Sequence, residues 1–173
     1  MLMKAISNRR SIRKFKQTPV SDEQIRIILE AAMLSPSACN TRPWRFFAIT
    51  NRDMLDKLAK VHDYARMLLT APLCIVMVAL PQTQSDVLDG LPLGFYPQDC
   101  GAATQNILVQ AESMGLGSCW CGVYPKEDKI KVVAETLNIP DGEIPFCLIA
   151  VGEKDENPRA RGKYEEERVT WIK

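Results

Sequence analysis

Histidine is almost missing from this chain: there is one, His62, in 173 residues. Ser-His-Asp catalysis and histidine-built metal centres therefore have almost no material to work with. His62 falls within a helical stretch and reads as an exposed helix residue. Phosphate-binding signatures are missing too. No G-x-x-x-x-G-K-[ST] segment occurs, and Gly115-Leu116-Gly117 follows a helix instead of joining a strand to a helix start, so neither a P-loop nor a dinucleotide fingerprint is present. The six cysteines, at 39, 74, 100, 119, 121 and 147, form no CxxC pair, which argues against zinc. Cys74, Cys100 and Cys147 lie in apolar segments, where cysteine behaves as a small hydrophobe and suits a reducing compartment. Charge of one sign is missing as well: the formal net charge of +1 gives no general attraction to nucleic acid or acidic membranes. No apolar run approaches the roughly 18 residues of a membrane span. The best, 71–80, contains Pro72. Lys4, Arg9, Arg10, Arg13, Lys14 and Lys16 interrupt the region where an export signal needs its apolar core, so a cytoplasmic protein is expected.

What is present is one domain's worth of core. At 46% hydrophobic, the chain suits a single α+β domain over residues 1–173, with no internal repeat. Ser21-Asp22-Glu23-Gln24 has the form of a capping box, and Ile25, Ile28, Leu29 and Ala32 recur at helical spacing, predicting a helix over 22–33. Pro36 cannot continue it, so 35–43 reads as a loop and 44–50 as extended. Residues 53–69 have helical character. Residues 73–80, rich in Val, Ile and Leu, read as a strand buried on both faces. An irregular excursion over 82–97, able to cover a site, precedes a mostly buried helix over 99–114 that Gly115 and Gly117 terminate. A helix at 126–137 and a strand at 144–151 follow, and the tail 153–173 has no core of its own.

Three segments offer binding chemistry, each beside a plainer reading. Arg9-Arg10-Ser11-Ile12-Arg13 presents fork-shaped guanidinium donors and a hydroxyl, suited to phosphate or an oxygen-rich edge, and equally reads as a solvated basic face. Residues 35–40, Ser-Pro-Ser-Ala-Cys-Asn, would let a flat ligand approach the backbone while Ser37 and Asn40 supply hydrogen bonds, or simply connect helix to strand. Residues 115–122 permit close backbone approach through their glycines, or form a helix cap and a turn. Cys119 and Cys121 are assigned to opposite faces of an extended segment, where they would not pair. Arg159 and Arg161 would reach a phosphate from the tail, or belong to a mobile charged terminus. A nucleic-acid module built on residues 4–16 lacks the aromatic platform such modules use, Phe15 apart.

As an ordered set, RRSIRKF, SPSACNTRPWRF, DCGAATQNILVQAESMGLGSCWCG and IPFCLIAVGEKDENPRARGKYEEE resemble the nitroreductase family, over nearly the whole chain. The resemblance implies an α+β fold with a central, mostly antiparallel sheet flanked by helices, in an intertwined homodimer with tightly bound FMN at the interface and the tail packed on the partner subunit. It implies no catalytic side chain, since the flavin carries the chemistry: hydride from NAD(P)H passes through flavin N5 to a small acceptor such as a nitroaromatic or a quinone, by ping-pong turnover. Dehalogenation, enone reduction, flavin breakdown or a carrier role are the alternatives on the same fold. By the same resemblance Arg9, Arg10 and Ser11 hold phosphate and ribityl, with Arg13 near the pyrimidine edge. Pro36, Ser37, Ala38, Cys39 and Asn40 come from the partner. Trp120, Cys121 and Gly122 lie beside the ring, and Arg159 and Arg161 close on the phosphate. Arg42 stands where the family often has Gln, and the chain is short at 82–97.

Overall fold

The computed structural model describes residues 1–85, 94–159, 162 and 164–173. Four strands, β1 (Trp44–Ile49), β2 (Leu73–Ala79), β3 (Leu116–Gly122) and β4 (Ile144–Glu153), form one sheet in the order β1-β2-β4-β3, antiparallel at every pairing. Helices α1 (Lys4–Asn8), α2 (Asp22–Met33), α3 (Arg52–Val61), α4 (Gln82–Ser85), α5 (Tyr96–Ser113) and α6 (Glu127–Leu137) surround it, with 3-10 turns at Ala38–Asn40, Arg66–Leu69 and Glu166–Arg168. The expected α+β architecture and antiparallel sheet are present.

Alternation along the strands divides the core into two layers. Ile75 and Met77 of β2 and Ile149 and Val151 of β4 face α2 and α5, meeting Ile28, Ala103 and Ile107. Cys74, Val76, Val78, Leu148 and Ala150 face the other way, onto Leu55 and Leu58 of α3 and Val133 of α6. Every residue of β2 is buried, as its unbroken apolar run predicts. Each of these large side chains contributes about 1.5–3 kcal/mol on burial. Cys74, Cys100 and Cys147 are buried within this core, as expected.

The capping box starts α2: Ser21 Oγ accepts from Gln24 N–H at 3.2 Å and Gln24 Oε1 from Ser21 N–H at 3.0 Å. Helix α5 begins at Tyr96, earlier than expected, because Pro97 is tolerated in a first turn whose N–H groups lack helical partners anyway. Residues 86–93 of the expected excursion lie outside the described residues. The segment 53–69 is not one helix. α3 stops at Val61, and the chain drops into the Arg66–Leu69 turn so that Met67 and Leu68 pack under the sheet. Arg52 donates to the carbonyls of Leu68 and Ala71, tying the start of α3 to the turn and satisfying acceptors that no helix pairs. Residues 116–122, read as a cap and turn or a close-approach loop, form strand β3.

Candidate functional site

The sheet edge at β3 does not stay open. The N-terminal segment docks along it, with a parallel bridge between Ser11 and Ser118 and Ile12 N–H donating to Ser118 O at 2.9 Å. Ile12 and Phe15 are buried and fasten the segment. Gly117 permits the approach: a Cβ there would lie 2.7 Å from Ile12 Cγ1 and 2.9 Å from Lys154 Cγ. Farther along, Lys16 N–H donates to Glu153 O at 3.0 Å, and the Glu156 carboxylate accepts from the backbone N–H groups of Arg13 and Lys14. With Ile12 and Phe15 turned inward, the polar residues between them are left for the surface.

That arrangement gathers Arg9, Arg10, Ser11, Arg13 and Arg159 around a cavity of about 500 Å³. Arg10 is aimed by its own backbone, donating to Ser7 O at 2.8 Å and Arg9 O at 2.7 Å. Among the described residues, none of these four guanidinium groups lies within ion-pair distance of a carboxylate. Four unneutralised cations around one cavity suit an anion such as a phosphate. Arg161 lies outside the described residues.

Arg13 also lines a second cavity of about 500 Å³, with Tyr64, Cys119, Trp120, Cys121 and Gly122. The two cavities share that residue, so the basic end leads to a wall of strand backbone, thiols and one aromatic ring. Trp120 is 38% exposed and tilts against Phe146 at 6.1 Å between centroids. Cys119 and Cys121 are not on opposite faces, as expected, but on the same one: both belong to the α3 and α6 side of the core. A period of two makes residues i and i+2 neighbours on one face.

His62 corrects the sequence reading again. It is 1% exposed, and its Nε2 lies 2.9 Å from Gly122 O. A carbonyl only accepts, so Nε2 carries the proton. Nδ1 is buried without a hydrogen-bond partner among the described residues. His62 thereby ties the end of α3 to the end of β3, beside the cavity.

The small-residue loop is elsewhere on the chain. Pro36, Ser37 and Ala38 line a separate cavity of about 510 Å³ with Phe95, Gln98 and Asp99, sharing no lining residue with the basic groove. Cys39, Asn40 and Arg42 adopt positive φ of 49°, 54° and 50°. For residues other than glycine this conformation costs about 1–3 kcal/mol each, and it persists where surrounding bonds over-determine it. Here Asp99, 7% exposed, accepts from Ala38 N–H at 3.2 Å and from Gln84 Nε2 at 2.7 Å. Gln84 also donates to Thr41 Oγ1 at 3.1 Å, and Ser37 Oγ accepts from Arg42 N–H at 2.9 Å. Asn106 donates to Ser35 Oγ at 2.7 Å. Asp99, Gln84 and His62 are the shaping residues that sequence reasoning missed. For Asp99 a signal existed, an acid beside Cys100 and Ala103 in a helix otherwise read as buried.

Comparison with known proteins places this geometry in context. The model of the Nitroreductase family matches residues 6–62 and 60–153. A protein of Methanothermobacter thermautotrophicus with the provisional name NADH dehydrogenase/NAD(P)H nitroreductase is 42% identical over 168 residues, covering 97% of this chain and 85% of its own. A provisionally named NADH dehydrogenase/NAD(P)H nitroreductase from Parabacteroides distasonis superposes with a TM-score of 0.89 at 36% identity, over 97% of this chain and 95% of that one. A provisionally named nitroreductase of Desulfovibrio desulfuricans, solved in complex with FMN, matches with a TM-score of 0.80 at 30% identity, over 98% and 95% of the two chains.

Proposed function

Because this chain belongs to the nitroreductase family, we propose that it is a cytoplasmic FMN-dependent NAD(P)H oxidoreductase that reduces small acceptors, nitroaromatics or quinones, as a homodimer. The observation that carries the reading is the convergence of Arg9, Arg10, Arg13 and Arg159 on one cavity without an ion-paired carboxylate among the described residues, joined through Arg13 to the Trp120–Cys121–Gly122 wall. This donor set fits a ligand with a phosphate at one end and a planar ring at the other. FMN has that form, and when bound it supplies two-electron transfer between a nicotinamide donor and an acceptor, so the protein needs no catalytic histidine.

The chain's own residues then have distinct tasks. Arg9, Arg10 and Arg159, with Arg161, hold the phosphate by charge-assisted bonds, and the Ser11 hydroxyl adds one more. Arg13 sets positive charge at the junction of the two cavities, where it favours an electron-rich ring as a preorganised electrostatic element. Trp120, Cys121 and Gly122 offer a backbone edge and an aromatic wall that keep water from the ring. Pro36, Ser37, Ala38, Cys39 and Asn40 serve the site of the neighbouring subunit. In support of that assignment, this loop is held rigid by Asp99 yet shares no cavity with the basic groove of its own chain. Residues 153–159 of the expected tail dock on the chain's own N-terminal segment, and it is the end, 164–173, that packs on the partner, consistent with Trp171 being 69% exposed and Ile172 95% exposed here.

Absorption spectroscopy of the purified protein tests the reading. Flavin bands that bleach on addition of NADH or NADPH and return with a nitroaromatic or quinone are expected. A colourless protein that takes up no FMN in excess overturns it. Turnover only with halogenated phenols or enones would transfer the site to another reaction, and a flavin-loaded monomer in sedimentation would remove the dimer.

A further inference from the structure

Helix α5 grips the small-residue loop in three places. Asn106 Nδ2 donates to Ala31 O at 3.0 Å and to Ser35 Oγ at 2.7 Å, where the loop begins. Asp99 accepts the Ala38 N–H within it, and Cys100 Sγ donates to Pro43 O at 3.5 Å where it ends. Asp99 is the acid in this set. It is buried, and among the described residues no cation lies within ion-pair distance of it. A buried carboxylate without a cation is costly, and the hydrogen bonds from Ala38 N–H and Gln84 Nε2 offset that. A carboxylate only accepts, so it also fixes the direction of the contacts around it. Gln84, 1% exposed, turns Nε2 toward Asp99 and Thr41, which leaves Oε1 for the Phe95 N–H at 2.8 Å. An asparagine in place of Asp99 would set an NH2 group against one of these donors. The positive-φ residues Cys39, Asn40 and Arg42 thus follow a segment anchored on α5, apart from the basic groove of the same chain.

We propose that Asp99 is a positioning residue for the flavin site of the neighbouring subunit. Through Ala38 it holds residues 36–40 in the shape that meets a ring bound by the other chain's arginines, and Gln84 keeps the carboxylate aimed. Its influence on FMN is therefore exerted in trans. Loss of Asp99 weakens the partner's site and leaves the arginine groove of its own chain intact. The inference rests on the FMN-binding homodimer proposed above, and the test separates the two.

Mixed dimers supply that test. Two chains carrying different affinity tags are co-expressed, the mixed dimer is isolated by tandem purification, and FMN is removed and titrated back by fluorescence. Asp99→Ala in both chains should weaken FMN binding by about ten- to a hundred-fold, the contribution of one or two buried hydrogen bonds. A dimer of one Asp99→Ala chain with one chain carrying Arg9→Ala and Arg10→Ala should regain a single site of wild-type affinity, made from the arginines of the first and the loop of the second. With all three substitutions on one chain and a wild-type partner, no site should reach wild-type affinity, because each carries a lesion. A general loss of structure in the Asp99→Ala chain would spoil its arginine groove too, so the regained site also excludes a merely structural role. Failure of the first mixed dimer to regain a site, the reverse pattern, or wild-type affinity in the Asp99→Ala homodimer overturns this proposal alone. If Asp99→Ala does not fold, Asp99→Asn takes its place in the same two dimers. A wild-type protein that binds no FMN or is monomeric overturns the functional reading itself, and this inference with it.

Discussion

The two edges of the sheet are built alike and used differently. β1 and β3 each pair with one neighbouring strand, and each borders a cavity of similar size: about 560 Å³ beside β1 and α2, about 500 Å³ beside β3. Beside β1 the walls are Ile25, Leu29, Met33 and Ala48, with Asp22, Arg26 and Glu30 mixing both signs of charge. Beside β3 the edge is capped by the N-terminal segment, which delivers three arginines without acidic partners among the described residues. Volume does not distinguish the two places. Unneutralised charge does, because a cation held near low-dielectric walls is stabilised only when an anion arrives. The segment that protects the β3 edge from pairing with other chains is also the one that arms it.

The comparison is broken most forcefully by removing that charge. Replacing Arg9 and Arg10 together by Ala deletes two charge-assisted contacts worth about 1.5–3 kcal/mol each, so FMN affinity measured by fluorescence titration should fall by about two to four decades. An unchanged affinity would make both arginines a solvated face. Next in size is Gly117→Val. The added side chain meets Ile12 and Lys154, and the overpacking should cost about 1–3 kcal/mol in chemical denaturation while loosening the basic segment, so that FMN affinity falls with stability. If stability drops and affinity does not, the docking of Ile12 is not what positions the arginines.

At the other edge the same operation should do little. Arg45→Ala removes a half-exposed pair with Glu143 at 2.5 Å and a guanidinium stacked 4.8 Å above Phe47. It should cost about 0.5–1 kcal/mol of stability and leave FMN affinity unchanged. A loss of flavin would bring β1 into the site. The smallest effect concerns pH. The exposed Glu153 carboxylate is held below its usual 4.5 by hydrogen bonds from Lys16 and Thr18. A lowered folded value means that this clasp is complete above the ordinary carboxylate range and is lost as pH falls below it. Hydrogen exchange at the Lys16 amide should therefore show extra opening below about pH 4.5, relieved of its pH dependence in Glu153→Gln and weakened by salt.

Legibility in the sequence followed the range of the interactions. The capping box and periodicity gave α2 at Asp22–Met33 with both ends in place, because the signals lie within a few residues of one another. The unbroken apolar run gave β2 within one residue. β3 is legible only in part: Cys119 and Cys121 read as extended, but Leu116-Gly117-Ser118 carries no apolar alternation to mark a strand start. Its pairing with β4 and Ile12 supplies what its own side chains lack. His62 read as exposed because helical spacing was extended past Val61. The buried turn that follows, with Met67 and Leu68 beneath the sheet, is a tertiary preference that no local pattern records.

The order of residues alone determined the helices with caps, the doubly buried strand, the core placement of Cys74, Cys100 and Cys147, and which segments carry guanidinium groups. Only tertiary structure decided that Arg9, Arg10, Arg13 and Arg159 meet at one cavity while residues 36–40 stand apart. Only tertiary structure, too, seated His62 against Gly122 and turned Cys119 and Cys121 toward one cavity. The physical reason is range: backbone geometry and hydrophobic period are written in neighbouring residues, whereas burial and the meeting of distant charges depend on which surfaces the sheet brings together.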